Sequence, residues 1–500
     1  MSSLPPTPVD DHAHESELTW LSTRELASRL ARREVSSREV LSDQLARIDS
    51  VNPVLNAVVT RDDGRAHAQA ANADAITARC QRSTNLAGSG LGRLHGVPLT
   101  HKESNDVAGW TTTRGSKLLL DNVASEDALI IARLRNAGVV SSGKTNIPEF
   151  TAGSHTFNNI FGTTVNPYDT TKSTAGSSGG AAAAISAGVQ ASGDGSDMGG
   201  SLRTPASFTN IVGMRPSNGR IPHALPANPW QWLAQTGFMA RTVSDVALLM
   251  SVACGPAAGA PSSIPEPASV FDRWEFAEPE HHEPGSGLTG LRIGFSTDLG
   301  GLIPVERRVA DVLGPVAGVL AAAGACVDET LPDLHAADEV FHIRRAYDFA
   351  VDYREFVRDH RREVREAVVW NTELGLNLKV DDLIEADQAR CRLQASVEEY
   401  FSHHDLFVLA ASQVAPFDAN IEYPHEIDGQ HLADYLEWMR AATIVSATGC
   451  PAVSVPAGFT ADGLPVGVQF VAAPGKDVEL LLACQAFEEL TNHHRQTPVL

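Results

Sequence analysis

The chain has 500 residues, of which 43% are hydrophobic and 20% charged, as in an ordinary globular protein. Its 39 Lys and Arg residues against 61 Asp and Glu residues leave a formal net charge of −22. Such an acidic chain is poorly suited to bind nucleic-acid phosphates or an anionic membrane, so we expect neither partner. The 6 cysteines form no Cys-x-x-Cys pair, and no basic-then-apolar leader precedes them, which together favour a reduced, cytoplasmic protein.

The N-terminal part divides into a polar, proline-containing stretch and a helical segment. We expect residues 1–16 to be disordered and residues 17–60 to form the helical segment. Capping-box patterns at Ser22-x-x-Glu25 and Ser36-x-x-Glu39 predict two helix starts. Asn52-Pro53 predicts the end of the second helix.

Strand and helix patterns alternate along the rest of the chain. The predicted strands are Leu55–Thr60, Val139–Ser141, Leu291–Phe295, Leu406–Ala410, Ala452–Val455 and Gly467–Val471. The predicted helices are Asp127–Ala137, Gly180–Ala187, Val243–Cys254 and Val478–Leu490, with a long helical region from Val305 to Tyr400. This alternation predicts α/β layers around a largely buried sheet. The Pro-, Ala-, Glu- and His-rich stretch 256–284 is interpreted as a surface excursion, with a domain linker as the alternative.

Two glycine- and serine-rich loops carry the strongest chemical signal. They span Ser173–Gly180 and Gly193–Pro205 and flank one predicted helix. One such loop usually means only a tight turn. Two at this spacing bring backbone N–H groups and hydroxyls together, as stabilisation of an oxyanion requires.

The segment Gly176–Arg203 resembles the signature of the amidase signature family of serine hydrolases. That family places the first serine of G-S-S-G-G and the serine of D-x-G-G-S-x-R 24 residues apart, as are Ser177 and Ser201 here. Its lysine, in a G-[VI]-P-x-x-x-K pattern, is matched by Lys102. Further matches, which extend the resemblance over roughly Leu21–Leu490, are Asp106–Gly109, Thr112–Ser116, Gly143–Phe150, Phe161–Pro167, Ala240–Asp245 and Pro451–Gly467.

The resemblance implies a fold and a reaction. The fold is one large domain, here 61–500, with a central mixed, largely buried sheet covered by helices on both sides. The reaction is hydrolysis of amides, with Ser201 as nucleophile, Ser177 as proton relay after a cis peptide bond, and Lys102 as base. No cofactor and no metal are implied.

Lys102 can act as a base only when it is neutral. Because an ordinary lysine has a pKa of about 10.4, burial must lower that value. We therefore expect Lys102 to lie buried between the two serines. Glu103, which stands where the family usually has Asp, should face away, since pairing with it would stabilise the ammonium.

The resemblance also implies the surroundings of the reacting groups. The predicted oxyanion hole consists of the backbone N–H groups of Met198, Gly199, Gly200 and Ser201. Asp197 and Arg203 are predicted to support this loop through charge-assisted hydrogen bonds, with an ordinary ion pair as the alternative. The predicted substrate-binding residues are Thr151, Ala152 and Ser154.

The leading hypothesis is a stand-alone hydrolase of small-molecule amides, with a homodimer as the expected assembly. One alternative is the glutaminase subunit of a tRNA-dependent amidotransferase, which would need a partner chain and an arginine for the glutamine carboxylate. The candidates for that arginine are Arg344, Arg345, Arg354 and Arg358. A third hypothesis is an inactive binding protein.

The stretch Gly138–Thr145 fits a phosphate-binding G-x-x-x-x-G-K-[ST] pattern, but a predicted helix precedes it and Pro148 follows, which argues against nucleotide binding.

Overall fold

The computed structural model describes residues 16–80, 90–223, 228–277 and 282–500. The predicted disordered segment 1–16 therefore lies outside the described residues, apart from Ser16, and so does the part 278–281 of the predicted excursion.

Both capping boxes predicted near the N-terminus are present. Helix α1 spans Thr23–Arg32, and the Glu25 carboxylate accepts from Ser22 N at 2.7 Å while Ser22 Oγ accepts from Glu25 N at 3.1 Å. Helix α2 spans Ser37–Leu55 and begins with the same reciprocal pair between Ser36 and Glu39. These contacts satisfy N–H groups that the first helical turn leaves free.

The predicted end of α2 at Asn52-Pro53 is wrong. The helix continues through Pro53 to Leu55, and Asn56 follows in the left-handed conformation with φ 51°. Proline in the last turn removes only one backbone donor there, and the Asn56 N–H still reaches Asn52 O at 2.8 Å. The Asn52 side chain accepts from the backbone N–H groups of Ala57 and Val58, and the first strand begins at Val58, later than predicted.

The remaining elements of the described residues follow in chain order. The other helices are α3 Asp63–Arg79, α4 Leu129–Asn136, α5 Gly179–Ser186, α6 Arg203–Phe208, α7 Val243–Ala253, α8 Trp274–Ala277, α9 Arg307–Leu313, α10 Val316–Ala322, α11 Ala337–His360, α12 Glu366–Leu376, α13 Val380–His403, α14 Arg440–Thr448 and α15 Asp477–Thr491. The strands are β1 Val58–Arg61, β2 Pro98–Lys102, β3 Val140–Thr145, β4 Phe157–Asn158, β5 Gly162–Thr163, β6 Ser192–Asp197, β7 Val212–Arg215, β8 Gln235–Ala240, β9 Arg292–Phe295, β10 Cys326–Asp328, β11 Leu406–Ala410, β12 Glu426–Ile427, β13 Gln430–His431, β14 Ala452–Phe459 and β15 Pro465–Ala472. The predicted helical region Val305–Tyr400 is thus corrected in one place, because β10 interrupts it and pairs with β9.

The central sheet is mixed, as the resemblance implied. Its 8 strands lie in the order β10-β9-β11-β15-β14-β7-β8-β6. The first three run parallel and all other neighbours are antiparallel. A 3-stranded sheet of order β1-β3-β2 lies beside β6, and β2 ends at Lys102.

Helices cover both faces of the central sheet. Along β11, Leu406, Val408 and Ala410 belong to one apolar cluster, and Phe407 and Leu409 to another. The first cluster includes residues of α7 and α15, and the second includes residues of α11, α13 and α14. Since alternate residues of a strand point to opposite faces, both faces are buried, which explains the continuous apolar sequence.

The described part of the predicted excursion is mostly exposed or half-buried, and two phenylalanines attach it to this core. Phe271 and Phe276 are buried in the first apolar cluster beside α7. In the parts of the chain that are described, no helix is long and apolar enough to cross a membrane.

Close packing around α5 leaves no space for a side chain at Gly180. A Cβ on Gly180 would lie 2.3 Å from Asn146 N and 2.6 Å from Asn146 O. We expect Gly180→Ala to lower the free energy of unfolding by about 1–3 kcal/mol, because the backbone must shift. Urea unfolding measures the change.

Gly318→Ala in α10 is the matched control. A Cβ there meets no atom within 4 Å, and alanine should stabilise the helix by about 0.5–1 kcal/mol. Equal effects of the two substitutions would contradict this account of the packing.

Candidate active site

Lys102, the last residue of β2, places its amino group among three serine hydroxyls. Its Nζ lies 2.9 Å from Ser177 Oγ, 2.8 Å from Ser178 Oγ and 2.9 Å from Ser196 Oγ. The side chain is fully buried. No carboxylate in the described ranges lies within ion-pair distance of Nζ, so its surroundings are polar but uncharged at short range.

This environment changes the basicity of the amine. Burial lowers the pKa of Lys102 to about 7, although Asp197 and Asp194 raise it in part from a longer distance. An ordinary lysine is neutral in only about one molecule in 2,500 at pH 7. At a pKa near 7 about half of the molecules carry a neutral amine.

Glu103 faces away from Lys102, as expected. Its carboxylate accepts from Thr113 N at 2.6 Å and from Thr113 Oγ1 at 2.9 Å. Burial raises the pKa of Glu103, and the neighbouring Lys144 opposes that rise. Lys144 itself donates to Thr112 Oγ1 and to a backbone carbonyl, so the lysine of the phosphate-binding pattern has a structural role.

A buried carboxylate that no sequence motif indicated, Asp194, anchors the lysine segment. Asp194 Oδ1 accepts from Lys102 N at 3.0 Å and from Asn105 Nδ2 at 2.6 Å, and Oδ2 lies 2.7 Å from His101 Nδ1. The available signal was an aspartate inside a glycine-rich stretch together with a histidine directly before the lysine. The contacts hold the backbone of β2 where Lys102 begins its path to the serines.

Both predicted serines reach one cavity. The Gly176–Ser177 peptide bond is cis, as the resemblance implied, and Ser177 lines the cavity together with Ser201. Ser178 N donates to Ser201 O at 3.2 Å, which joins the two glycine-rich loops. Within the described chain, no direct hydrogen bond connects the hydroxyls of Ser177 and Ser201.

Asp197 and Arg203 form the predicted support of the second loop. Arg203 Nε donates to Asp197 Oδ2 at 3.0 Å and Nη2 to Oδ1 at 2.8 Å, and both side chains are fully buried. Burial alone would raise the pKa of Asp197, but Arg203 and Arg215 outweigh it and hold that pKa well below its usual range. The carboxylate therefore stays charged and shapes the loop.

One of the four predicted oxyanion donors already has an acceptor within the protein. Gly200 N donates to Asp197 Oδ1 at 2.8 Å, so this N–H is already used within the loop. The backbone N–H groups of Met198, Gly199 and Ser201 have no acceptor among the residues that the structure describes. Three of the four predicted donors remain available.

The three predicted substrate-binding residues lie at different places relative to the cavity. Thr151 lines the cavity, but Ala152 and Ser154 do not. Ala152 O accepts from Arg365 Nη1 at 2.8 Å, and Ser154 Oγ donates to Met439 Sδ at 3.1 Å. Both residues face the packing behind the cavity wall.

Helix α11 supplies a wall of the cavity that motif analysis did not find. Its lining residues are Arg345, Phe349, Asp352 and Tyr353, and other lining residues are Phe150, Gly153, Ser196, Met198, Gly199, Ala234 and Met439. The α11 residues follow the spacing of one helix face, which was the only sequence signal for them. Of the four candidate arginines for a glutamine carboxylate, only Arg345 lines this cavity in the described chain.

The chain belongs to the amidase family. The family model described as Amidase matches residues 39–481, and the fold, both loops and the lysine agree with that assignment. It is therefore an amide-hydrolysing enzyme of the amidase signature class.

Three relatives illustrate the range of this family. An acylamidase of Rhodococcus erythropolis is 33% identical over 478 residues, covering 95% of this chain and 96% of the relative. A glutamyl-tRNA(Gln) amidotransferase subunit of Moorella thermoacetica is 32% identical, covering 97% and 99%. A solved bacterial aryl acylamidase of the amidase signature family superposes with TM-score 0.85 at 25% identity, covering 96% and 98%.

The buried pair beneath the loop should be costly to break. We expect Arg203→Met to lower the free energy of unfolding by about 3–5 kcal/mol, because the Asp197 carboxylate stays buried without its main partner. Urea unfolding of the purified variant measures the loss.

Arg38→Met is the control, since the Arg38 side chain, which pairs with Asp74, is 64% exposed. Its expected cost is within about 1 kcal/mol. A comparable loss in both variants would show that the burial of Asp197 is not what matters.

Proposed function

We propose that the enzyme hydrolyses carboxylic amides of small molecules through an acyl-enzyme on Ser201, with Ser177 as relay and Lys102 as base. One observation carries this proposal: the buried Lys102 amino group contacts only serine oxygens and no carboxylate at short range. Such an amine can be neutral near pH 7 and can therefore accept a proton.

The proposed reaction has two halves. Ser201 Oγ attacks the amide carbonyl while its proton passes through Ser177 to neutral Lys102, and the oxyanion accepts hydrogen bonds from the free N–H groups of the loop. The C–N bond then breaks, and the amine leaves with the proton that returns from Lys102 through Ser177. Water attacks the acyl-enzyme by the same proton route and releases the carboxylic acid.

The cavity wall favours aryl or alkyl amides. Phe150, Phe349 and Tyr353 provide aromatic surface, and Met198 and Met439 provide flexible apolar surface. The similarity to an acylamidase and to an aryl acylamidase supports the same substrate class. Related carbamates and oligoamides belong to the range to be assayed.

The similarity to the glutamyl-tRNA(Gln) amidotransferase chain favours a second candidate, a glutaminase that works within a larger complex. Incubation of the purified chain alone with glutamine and with acetanilide separates the two. We expect release of aniline without any partner chain. Ammonia from glutamine only, and only with a partner, would support the second candidate, and no turnover of any amide would favour an inactive binding protein.

The pKa of Lys102 predicts the pH dependence of the reaction. Because that pKa is lowered to about 7, the neutral base is present above pH 7 and is lost as pH falls below it. We expect kcat/KM for acetanilide to rise about tenfold per pH unit at acid pH and to level off above about 7. A profile that is flat between pH 5.5 and 8 would contradict Lys102 as the base.

Alanine substitutions test the three roles. We expect Ser201→Ala to reduce kcat by about 10⁴-fold or more, and Lys102→Ala and Ser177→Ala by about 10²–10⁴-fold. Ser142→Ala, a buried serine of β3 whose hydroxyl has no partner among the described side chains, should retain activity. Labelling with a fluorophosphonate, followed by peptide mapping, should identify Ser201, and labelling elsewhere would refute the assignment.

A further inference from the structure

Arg345 is a buried cation in the wall of the cavity that contains Ser201. It projects from α11, and only 4% of the residue is exposed. Nε donates to Asn371 Oδ1 at 3.1 Å and Nη2 donates to Tyr435 Oη at 2.8 Å. Nη1 lies 3.1 Å from Met198 Sδ. Neutral groups therefore hold the guanidinium beside the loop that leads to the candidate nucleophile.

No acidic side chain of the described residues neutralises Arg345 at ion-pair distance. Asp348, one turn further along α11, forms its ion pair with Arg344 at 3.4 Å and interacts with Arg345 only over a longer distance. Asp352 also lines the cavity and is exposed, and its charged neighbours include Arg114 and Asp348. The described lining residues thus include one basic side chain, Arg345, and one acidic side chain, Asp352.

A buried cation without a close counter-ion is costly. The ring of Phe349, whose centroid lies 4.4 Å from the guanidinium carbon, compensates part of this cost. A guanidinium carries five N–H groups, and the three contacts above leave one on each terminal nitrogen. Two N–H groups on adjacent nitrogens match the two oxygens of a carboxylate.

We propose that Arg345 binds a carboxylate of the substrate, so that the enzyme prefers amides that carry a carboxylate close to the scissile bond. This inference rests on the proposed function, because the amide carbonyl must lie at Ser201. Charge-assisted hydrogen bonds of this kind correspond to a preference of about 10- to 100-fold in kcat/KM over a neutral substrate of the same shape.

Matched pairs of anilides test the proposal in the wild-type enzyme. One pair places the carboxylate on the acyl side, as succinic acid monoanilide against succinamide monoanilide. The other places it on the amine side, as 3-acetamidobenzoate against 3-acetamidobenzamide. Chromatography of the released aromatic amine gives kcat/KM for each. We expect a preference of about 10- to 100-fold for the carboxylate in at least one pair, and equal rates within both pairs would overturn the proposal.

Substitutions then assign the preference to its residue. Arg345→Gln should reduce the ratio of kcat/KM values, carboxylate over neutral, to about 1, and Arg345→Lys should leave an intermediate ratio because charge remains without the planar fork. Arg344→Gln, on the same helix but outside the cavity lining, should keep the wild-type ratio. A preference that survives in Arg345→Gln, or is lost in Arg344→Gln, would exclude Arg345 as the determinant.

Two controls separate failure of this inference from failure of the proposed function. Fluorophosphonate labelling of Ser201 shows whether each variant is folded, and the wild-type ratio decides the proposal even if Arg345→Gln does not fold. Turnover of neutral anilides without a carboxylate preference would refute only the role of Arg345. Absence of both turnover and labelling in the wild-type enzyme would refute the proposed function itself.

Discussion

The burial of one lysine amino group among hydroxyls is the constraint on which the site depends. Lys102 loses hydration and gains only serine oxygens at close range, so its ammonium form is destabilised. The nearest carboxylates are directed elsewhere: Asp194 binds the backbone and His101, and Asp197 binds arginine. Had either carboxylate contacted Nζ, the positive charge would be stabilised and no base would be available near neutral pH.

The protein achieves this separation of charges by fixing each carboxylate with other donors. Asp197 is bound by the Arg203 side chain and by the backbone N–H groups of Gly200, Leu202 and Arg203, which also determines the shape of the second loop. The same contacts remove the Gly200 N–H from the predicted oxyanion hole. Rigidity of the loop and availability of its donors are therefore linked, since a donor that shapes the loop cannot also bind substrate.

The cavity is a joint product of the two halves of the chain. The glycine-rich loops bring Ser177 and Ser201 from the first half, and α11 brings Arg345 and Phe349 from the second. The first half carries the groups proposed for the reaction, which the hydrolysis of any amide would require. The second half provides the charge and the aromatic surface that distinguish one amide from another, and this division explains why the reaction class is easier to infer than the substrate.

The sequence alone determined the elements whose signals are local. The capping boxes, the continuous apolar strand β11 and the alternation of strand and helix patterns predicted helices, strands and the α/β class, because these signals lie in neighbouring residues. The motifs that contain Lys102, Ser177 and Ser201 indicated the family. Only the tertiary structure decided what depends on distant partners. Contacts formed on folding decide that α2 continues through Pro53 and that Asp197 uses the Gly200 N–H. They also decide that Arg345 lines the cavity while Ala152 and Ser154 contact other residues. Such contacts join residues far apart in the chain, and a single sequence does not show which distant residues contact each other.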